Sequence, residues 1–182
     1  VTTDLAALTA RLQRLEDERD ISRLIASYGP HVDSADADGA AALWAGDGSY
    51  DVEGWRMPTS ADVHAMVSSP SHRELVSAGC CHFLGPAVVT VHGDTAVAVC
   101  ESLVLLRDEN VSPARLDRDA WRTAPGEYVV WRATANHFAL QRRDGQWRIT
   151  ARTSRLLDGS PTAHTLLAAG LAGAEVAPEP PR

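Results

Sequence analysis

Two stretches decide how this chain is read: AVVTVHGDTAVAVCESLVLL, from Ala87 to Leu106, and EYVVWRATANHFALQRRDGQWRITARTSRLL, from Glu127 to Leu157. In the first, His92-Gly93-Asp94 separates two apolar runs. In the second, Asp144-Gly145 separates segments in which apolar and polar residues alternate. A glycine-containing turn between such runs signals a hairpin, because the turn needs left-handed backbone that glycine adopts freely. Residues 87–156 therefore predict three or four long strands of an antiparallel sheet. One face of that sheet must be covered, and only the upstream residues have helical patterns long enough to cover it.

Outward from the sheet, composition sets limits. A chain of 182 residues, 45% apolar and 23% charged, suits one well-filled domain over residues 1–169, followed by a flexible tail over 170–182 rich in Ala, Gly and Pro. A formal net charge of -7 argues against nucleic acid or an anionic membrane as the main partner. No apolar run is long enough to span a bilayer, and residues 1–20 lack the pattern of a secretory signal. Cys80, Cys81 and Cys100 read as small buried hydrophobes, which points to a cytoplasmic protein.

Upstream, Leu5, Leu8, Leu12 and Leu15 form a helical stripe that packs across the domain or against a neighbouring subunit. Asp17 is placed to cap a second helix carrying Ile21, Leu24, Ile25, Tyr28 and Val32. Gly29-Pro30 predicts a bend or break there, re-aiming His31-Val32-Asp33. A short helical piece over Ala40–Trp44, a strand over Ser49–Glu53, a helix capped by Ser60 and a helical piece over Ser71–Ala78 lead to Cys80–Leu84. Residues 107–126 read as an irregular excursion, with a lid as one possibility, and residues 161–169 as a last helical turn or two.

The chain has no phosphate-binding glycine loop, nicotinamide fingerprint, zinc-spaced cysteine set, GxSxG elbow or HExxH pair, so neither a cofactor nor a metal is expected. A histidine paired with an aspartate is the remaining chemistry. The carboxylate accepts from one imidazole nitrogen and stabilises the protonated ring, while the other nitrogen takes a substrate proton. His82, at the apolar entry into the sheet, is the best candidate, with Asp33 facing it across a cavity.

The series Tyr28, Asp33, Trp44, Asp47-Gly48-Ser49-Tyr50-Asp51, His82-Phe83-Leu84-Gly85, Asn136-His137-Phe138 and Arg143-Asp144-Gly145-Gln146-Trp147 resembles a SnoaL-like domain over residues 12–157. That family belongs with nuclear transport factor, scytalone dehydratase and hexachlorocyclohexane dehydrochlorinase. The resemblance implies an α+β fold in which N-terminal helices pack into a strongly curved antiparallel sheet, forming a cone with an internal cavity. It implies His82 as the base and Asp33 as its orienting partner. Near Cys100–Ser102 the sequence lacks the second strand histidine of scytalone dehydratase, leaving Glu101 as a candidate acid or base there.

The expected function is a cofactor-independent lyase or isomerase, of dehydratase or cyclase type, acting on a small, largely apolar organic molecule. His82 and Asp33 would transfer the proton, and Tyr28 or His31 would polarise a carbonyl, hydroxyl or leaving group. Trp44, Tyr50, Trp55, Asn136 and Arg152 are the candidate substrate contacts, with His64 a further cavity candidate. The alternatives are a noncatalytic ligand-binding or assembly domain, or an accessory subunit similar to the small subunit of ring-hydroxylating oxygenases. A homo-oligomer, dimer or trimer, is expected in each case.

Overall fold

The computed structural model describes residues 4–108 and 127–176. The expected excursion lies outside these from residue 109 onward. The elements are α1 (Leu5–Asp33), α2 (Ala37–Ala41), β1 (Trp44–Val52), β2 (Trp55–Met57), α3 (Ser60–Ser68), α4 (Pro70–Ser77), β3 (Cys80–Leu84), β4 (Val88–His92), β5 (Thr95–Asp108), β6 (Glu127–Arg143), β7 (Gln146–Leu156) and α5 (Pro161–Leu171). No helix among the described residues is long and apolar enough to cross a membrane.

Both hairpins form. Gly93 and Gly145 have φ of 65° and 74°, as their turns require. The strand order is β2-β1-β7-β6-β5-β3, with β4 also paired to β5. Two features of the expected architecture are corrected. The sheet is mixed, because β1 runs parallel to β7 while the other pairs are antiparallel. It is also an open sheet, not a strongly curved cone: β2 lies at one end of the strand order, β3 and β4 share the other edge of β5, and no ladder among the described residues joins the ends. Among the described residues, short β2 at one end and the tandem β3 and β4 at the other leave the two edges of the sheet unjoined.

The helical region is also corrected. The two expected helices are one, and it runs through Gly29-Pro30 without a break. Pro30 and Ala26 are both exposed, so water can serve the carbonyl that loses its partner. Glycine before proline removes the Cβ clash that would otherwise push that residue out of the helical region. Thr59, not Ser60, caps α3, in a reciprocal box with Asp62. The last helix is longer than expected, covering eleven residues.

Asp17 is not a cap. It is buried in mid-helix, where its Oδ1 accepts from Arg142 Nη2 at 2.7 Å, Trp147 Nε1 at 3.1 Å and Gln13 Nε2 at 3.1 Å. Burial alone would raise its pKa, but these donors together hold the carboxyl below its ordinary value. The stability it contributes is therefore present above the ordinary carboxylate range and is lost as pH falls through the folded-state value. Asp17→Ala strands the buried indole N–H and removes a partner of Arg142. Chemical denaturation is expected to show a loss of about 2–4 kcal/mol and a shallower acid limb.

Alternation on β5 and β6 builds the two faces. Ala96, Ala98, Cys100, Phe138 and Leu140 join Ile21, Ile25, Val32, Val63 and Val67 in the main core beneath α1 and α3. On the reverse face Ala135 packs on Ala163 and Leu166 of α5, and Gly170 lies against Val99. Beyond α5, the carbonyl of Ala174 accepts from His137 Nε2 at 2.9 Å.

Candidate active site

The site begins where α1 meets β3. Gly29 faces the carbonyl of His82 so closely that a Cβ there would lie 2.1 Å from that oxygen. This close approach brings the last turn of α1 onto β3 and delivers Asp33 to His82. The His82 backbone N–H donates to Asp33 Oδ2 at 2.8 Å, and His82 Nδ1 lies 2.7 Å from Asp33 Oδ1. An ionised carboxylate can only accept, so Nδ1 carries the proton and Nε2 is the nitrogen left for the pocket. Both side chains remain partly exposed, at 17% and 23%.

Two neighbours fix this corner. His72 of α4 is buried and donates from Nε2 to the carbonyl of Val32 at 3.1 Å, tying α4 to the end of α1. Cys80 lies two residues before His82 on the same face of β3, with Sγ 3.7 Å from Nδ1. Burial, and then the nearby Asp33 charge, push the Cys80 thiol up to about 11, so on its own it stays protonated.

A second polar centre lies across the same cavity. Arg152 is 3% exposed, with its guanidinium carbon 4.3 Å from the Tyr28 ring, 4.4 Å from Tyr50 and 5.1 Å from Phe138. Asn136 Oδ1 accepts from Arg152 Nε at 3.1 Å and Nη2 at 2.7 Å. The amide is oriented in turn, because its Nδ2 donates to Ser102 Oγ at 2.9 Å and Thr134 Oγ1 at 3.1 Å. Arg152 Nη1 is buried and has no hydrogen-bond partner, although Arg152 lines the cavity. A fixed cation with one unsatisfied donor favours an oxygen-bearing ligand group at that point. Burial, with Tyr50 nearby, drives the Tyr28 phenol far above its ordinary pKa, so its hydroxyl keeps its proton at any working pH.

The cavity is about 160 Å³ and mostly apolar. It brings together Tyr28, Tyr50, Trp55, His82 and Arg152 from the expected set. Trp55 stands at the rim, 58% exposed. Asn136 is fully buried behind Arg152 and acts on the cavity through it. The remaining candidates lie elsewhere. Trp44 is buried with its Nε1 donating to the carbonyl of Ser49 and its ring edge-on to Tyr28. His31 pairs with Asp36 at 2.7 Å outside the pocket, His64 with Asp38 at 3.2 Å, and Glu101 is exposed between the inward Cys100 and Ser102. Sequence reasoning missed Ser102, Thr134 and Ser154 as wall residues. For two of them the signal was available, since 134 and 154 each lie two residues from a chosen candidate on the same strand; Ser102 had no such neighbour. Trp131 and Arg132 also line the pocket together, because Trp131 is an extra residue opposite the Val104–Leu105 step of β5.

Comparison with known proteins agrees with this architecture. The profile of the SnoaL-like domain family matches residues 13–153. An NTF2-like protein with a cystatin-like fold from Novosphingobium aromaticivorans is 40% identical, with a TM-score of 0.79 over 92% of this chain and 99% of that one. Hexachlorocyclohexane dehydrochlorinase LinA-type3 from Novosphingobium barchaimii is 17% identical, with a TM-score of 0.62 over 81% and 90% of the two chains. A candidate scytalone dehydratase from N. aromaticivorans is 17% identical, with a TM-score of 0.56 over 79% and 85%. At that identity the last two establish the fold alone. No curated protein gives a match.

Proposed function

The chain belongs to the SnoaL-like domain family, and on that premise we propose that it is a cofactor-independent lyase or isomerase for a small, largely apolar molecule bearing a carbonyl. The observation that carries this reading is the Asp33–His82 pair, whose remaining imidazole nitrogen is left for a cavity with an unsatisfied guanidinium N–H. His82 Nε2 removes a proton from the carbon next to the carbonyl. The electron pair moves onto the carbonyl oxygen, which Arg152 Nη1 and the Tyr28 hydroxyl hold. Expulsion of a leaving group on the next carbon restores the carbonyl, and His82 returns its proton to that group. In an isomerase the proton returns to a different carbon. Asp33 stabilises the imidazolium throughout.

A panel of small cyclic and aryl ketones in D2O, followed by proton NMR, tests this without knowledge of the physiological substrate. The wild type is expected to exchange the protons next to the carbonyl of at least one ketone, and His82→Ala is expected not to. Exchange that survives His82→Ala, or its absence across the panel, favours the noncatalytic ligand-binding alternative.

Self-association is part of the same proposal. Leu5, Leu8, Leu12 and Leu15 are all exposed, and at 100° per residue they lie opposite the Ile21, Ile25 and Tyr28 face that packs on the domain. Arg11 and Glu16 flank the stripe five residues apart, the spacing at which two parallel copies exchange ion pairs. Sedimentation velocity is expected to show a dimer or trimer, and a monomer at micromolar concentration would contradict this. Three unpaired cysteines suit work in the cytoplasm.

A further inference from the structure

Behind the His82 ring, on its Nδ1 side, three different donor types meet. Asp33, Cys80 and His82 each offer one ligand atom, and these atoms all lie within 4.8 Å of one another. We propose that this corner is a binding site for zinc or a similar divalent ion, and that occupancy switches the histidine off as a base.

The donor set is the first reason. One thiolate, one imidazole and one carboxylate make a mixed set that suits zinc and leaves a fourth position for water. Preorganisation is the second. Cys80 and His82 share one face of a paired strand, since His82 lies opposite Val104 and Cys80 opposite Leu106 in the ladder. Asp33 is held by the His82 backbone N–H through Oδ2, so Oδ1 stays on the Nδ1 side whether or not Nδ1 carries a proton. Tetrahedral bonds of ~2.0–2.3 Å set donor atoms ~3.3–3.6 Å apart, so the 3.7 Å from Nδ1 to Sγ already suits an ion, while Oδ1, now 2.7 Å from Nδ1, must back away by about half an ångström or more as the ion replaces the proton between them.

The consequence follows from proton bookkeeping and rests on the proposed role of His82. Before binding, the neutral ring carries its proton on Nδ1 and the thiol is intact. Coordination replaces both: the thiol proton leaves to solvent, the metal takes the Nδ1 lone pair, and a neutral ring must then carry its proton on Nε2. One proton is released per ion bound. The nitrogen facing the pocket has become a donor, so it can no longer accept a substrate proton, although the cavity stays open. The metal is thus a brake and not a participant in turnover.

Cobalt(II) titration of the full chain tests the site independently of activity. The expected result is one equivalent of cobalt giving a near-ultraviolet thiolate-to-metal charge-transfer band that zinc bleaches. Cys80→Ser should lose the band and bind zinc about tenfold or more weakly, while Cys81→Ser keeps both. Nitrogen-15 NMR should show the His82 ring proton moving from Nδ1 to Nε2 on zinc addition. Zinc should also stop proton exchange in the wild type, reversibly on chelation, and spare Cys80→Ser. Absence of the band, or its survival in Cys80→Ser, overturns the site. A normal band and tautomer shift in a protein that never exchanges protons would uphold the site and refute the catalytic reading instead.

Discussion

Asp33→Asn is expected to lower turnover by about 10²–10⁴-fold and leave the fold intact. The aspartate accepts two N–H groups at once, the His82 main chain on Oδ2 and the His82 ring on Oδ1. An asparagine has only one acceptor. If its oxygen serves the main chain, its NH2 faces the ring and favours the tautomer with the proton on Nε2, which is the wrong one for a base. If the amide flips, two donors confront each other at the main chain. Either way the imidazolium formed in turnover loses its counter-charge. The side chain is partly exposed, so water can relieve the mismatch and folding should survive. Steady-state kinetics on any ketone identified by exchange should show the loss in kcat, with KM little changed. Near-normal kcat in Asp33→Asn would mean that the pair is structural.

Gly29→Ala sets two effects of opposite sign against each other. In a helix interior, alanine is favoured over glycine by about 1 kcal/mol, so propensity alone predicts a more stable protein. The added methyl would sit 2.1 Å from the His82 carbonyl oxygen and 3.3 Å from its carbon. Both are main-chain atoms of a strand paired to β5, so no side chain can swing aside. The end of α1 must lift from β3, straining the Asp33 contacts with His82 and the His72 bond to Val32. Overpacking of this kind costs about 1–3 kcal/mol and sometimes more, enough to exceed the propensity gain. Thermal unfolding should show a fall in Tm of roughly 2–8 °C. Activity should fall far more than stability, because an ångström of displacement separates the pair. A rise in Tm with activity intact would refute the close approach.

Particular residues show what was legible in the sequence. The hairpins at Gly93 and Gly145 were, because turn chemistry and strand alternation agree there. Asp33 and His82, 49 residues apart, were paired from the chemistry a histidine and an aspartate can perform, and the family resemblance strengthened that pairing; no local pattern records that they meet. The contact depends on Gly29, which local rules read as the start of a break. Propensity describes a residue in isolation, whereas this glycine answers to a neighbouring strand. Arg152 illustrates a second limit. Trp147 and Ile149 are buried in the main core, and unbroken alternation from them would send residue 152 to the opposite face. Thr150 is an extra residue opposite the Ala139–Leu140 step, and this bulge resets the alternation so that Arg152 points to the Tyr28 side. Curvature was beyond reach as well, since alternation reports which face is apolar and says nothing about whether the sheet closes.

The protonation state of one ring tests the central claim most directly. Nitrogen-15 NMR of histidine-labelled protein at neutral pH, without added metal, reads which His82 nitrogen holds the proton. The account predicts Nδ1 protonated and Nε2 bare in the wild type, with the preference reduced or reversed in Asp33→Asn. A wild-type His82 with its proton on Nε2 would contradict it.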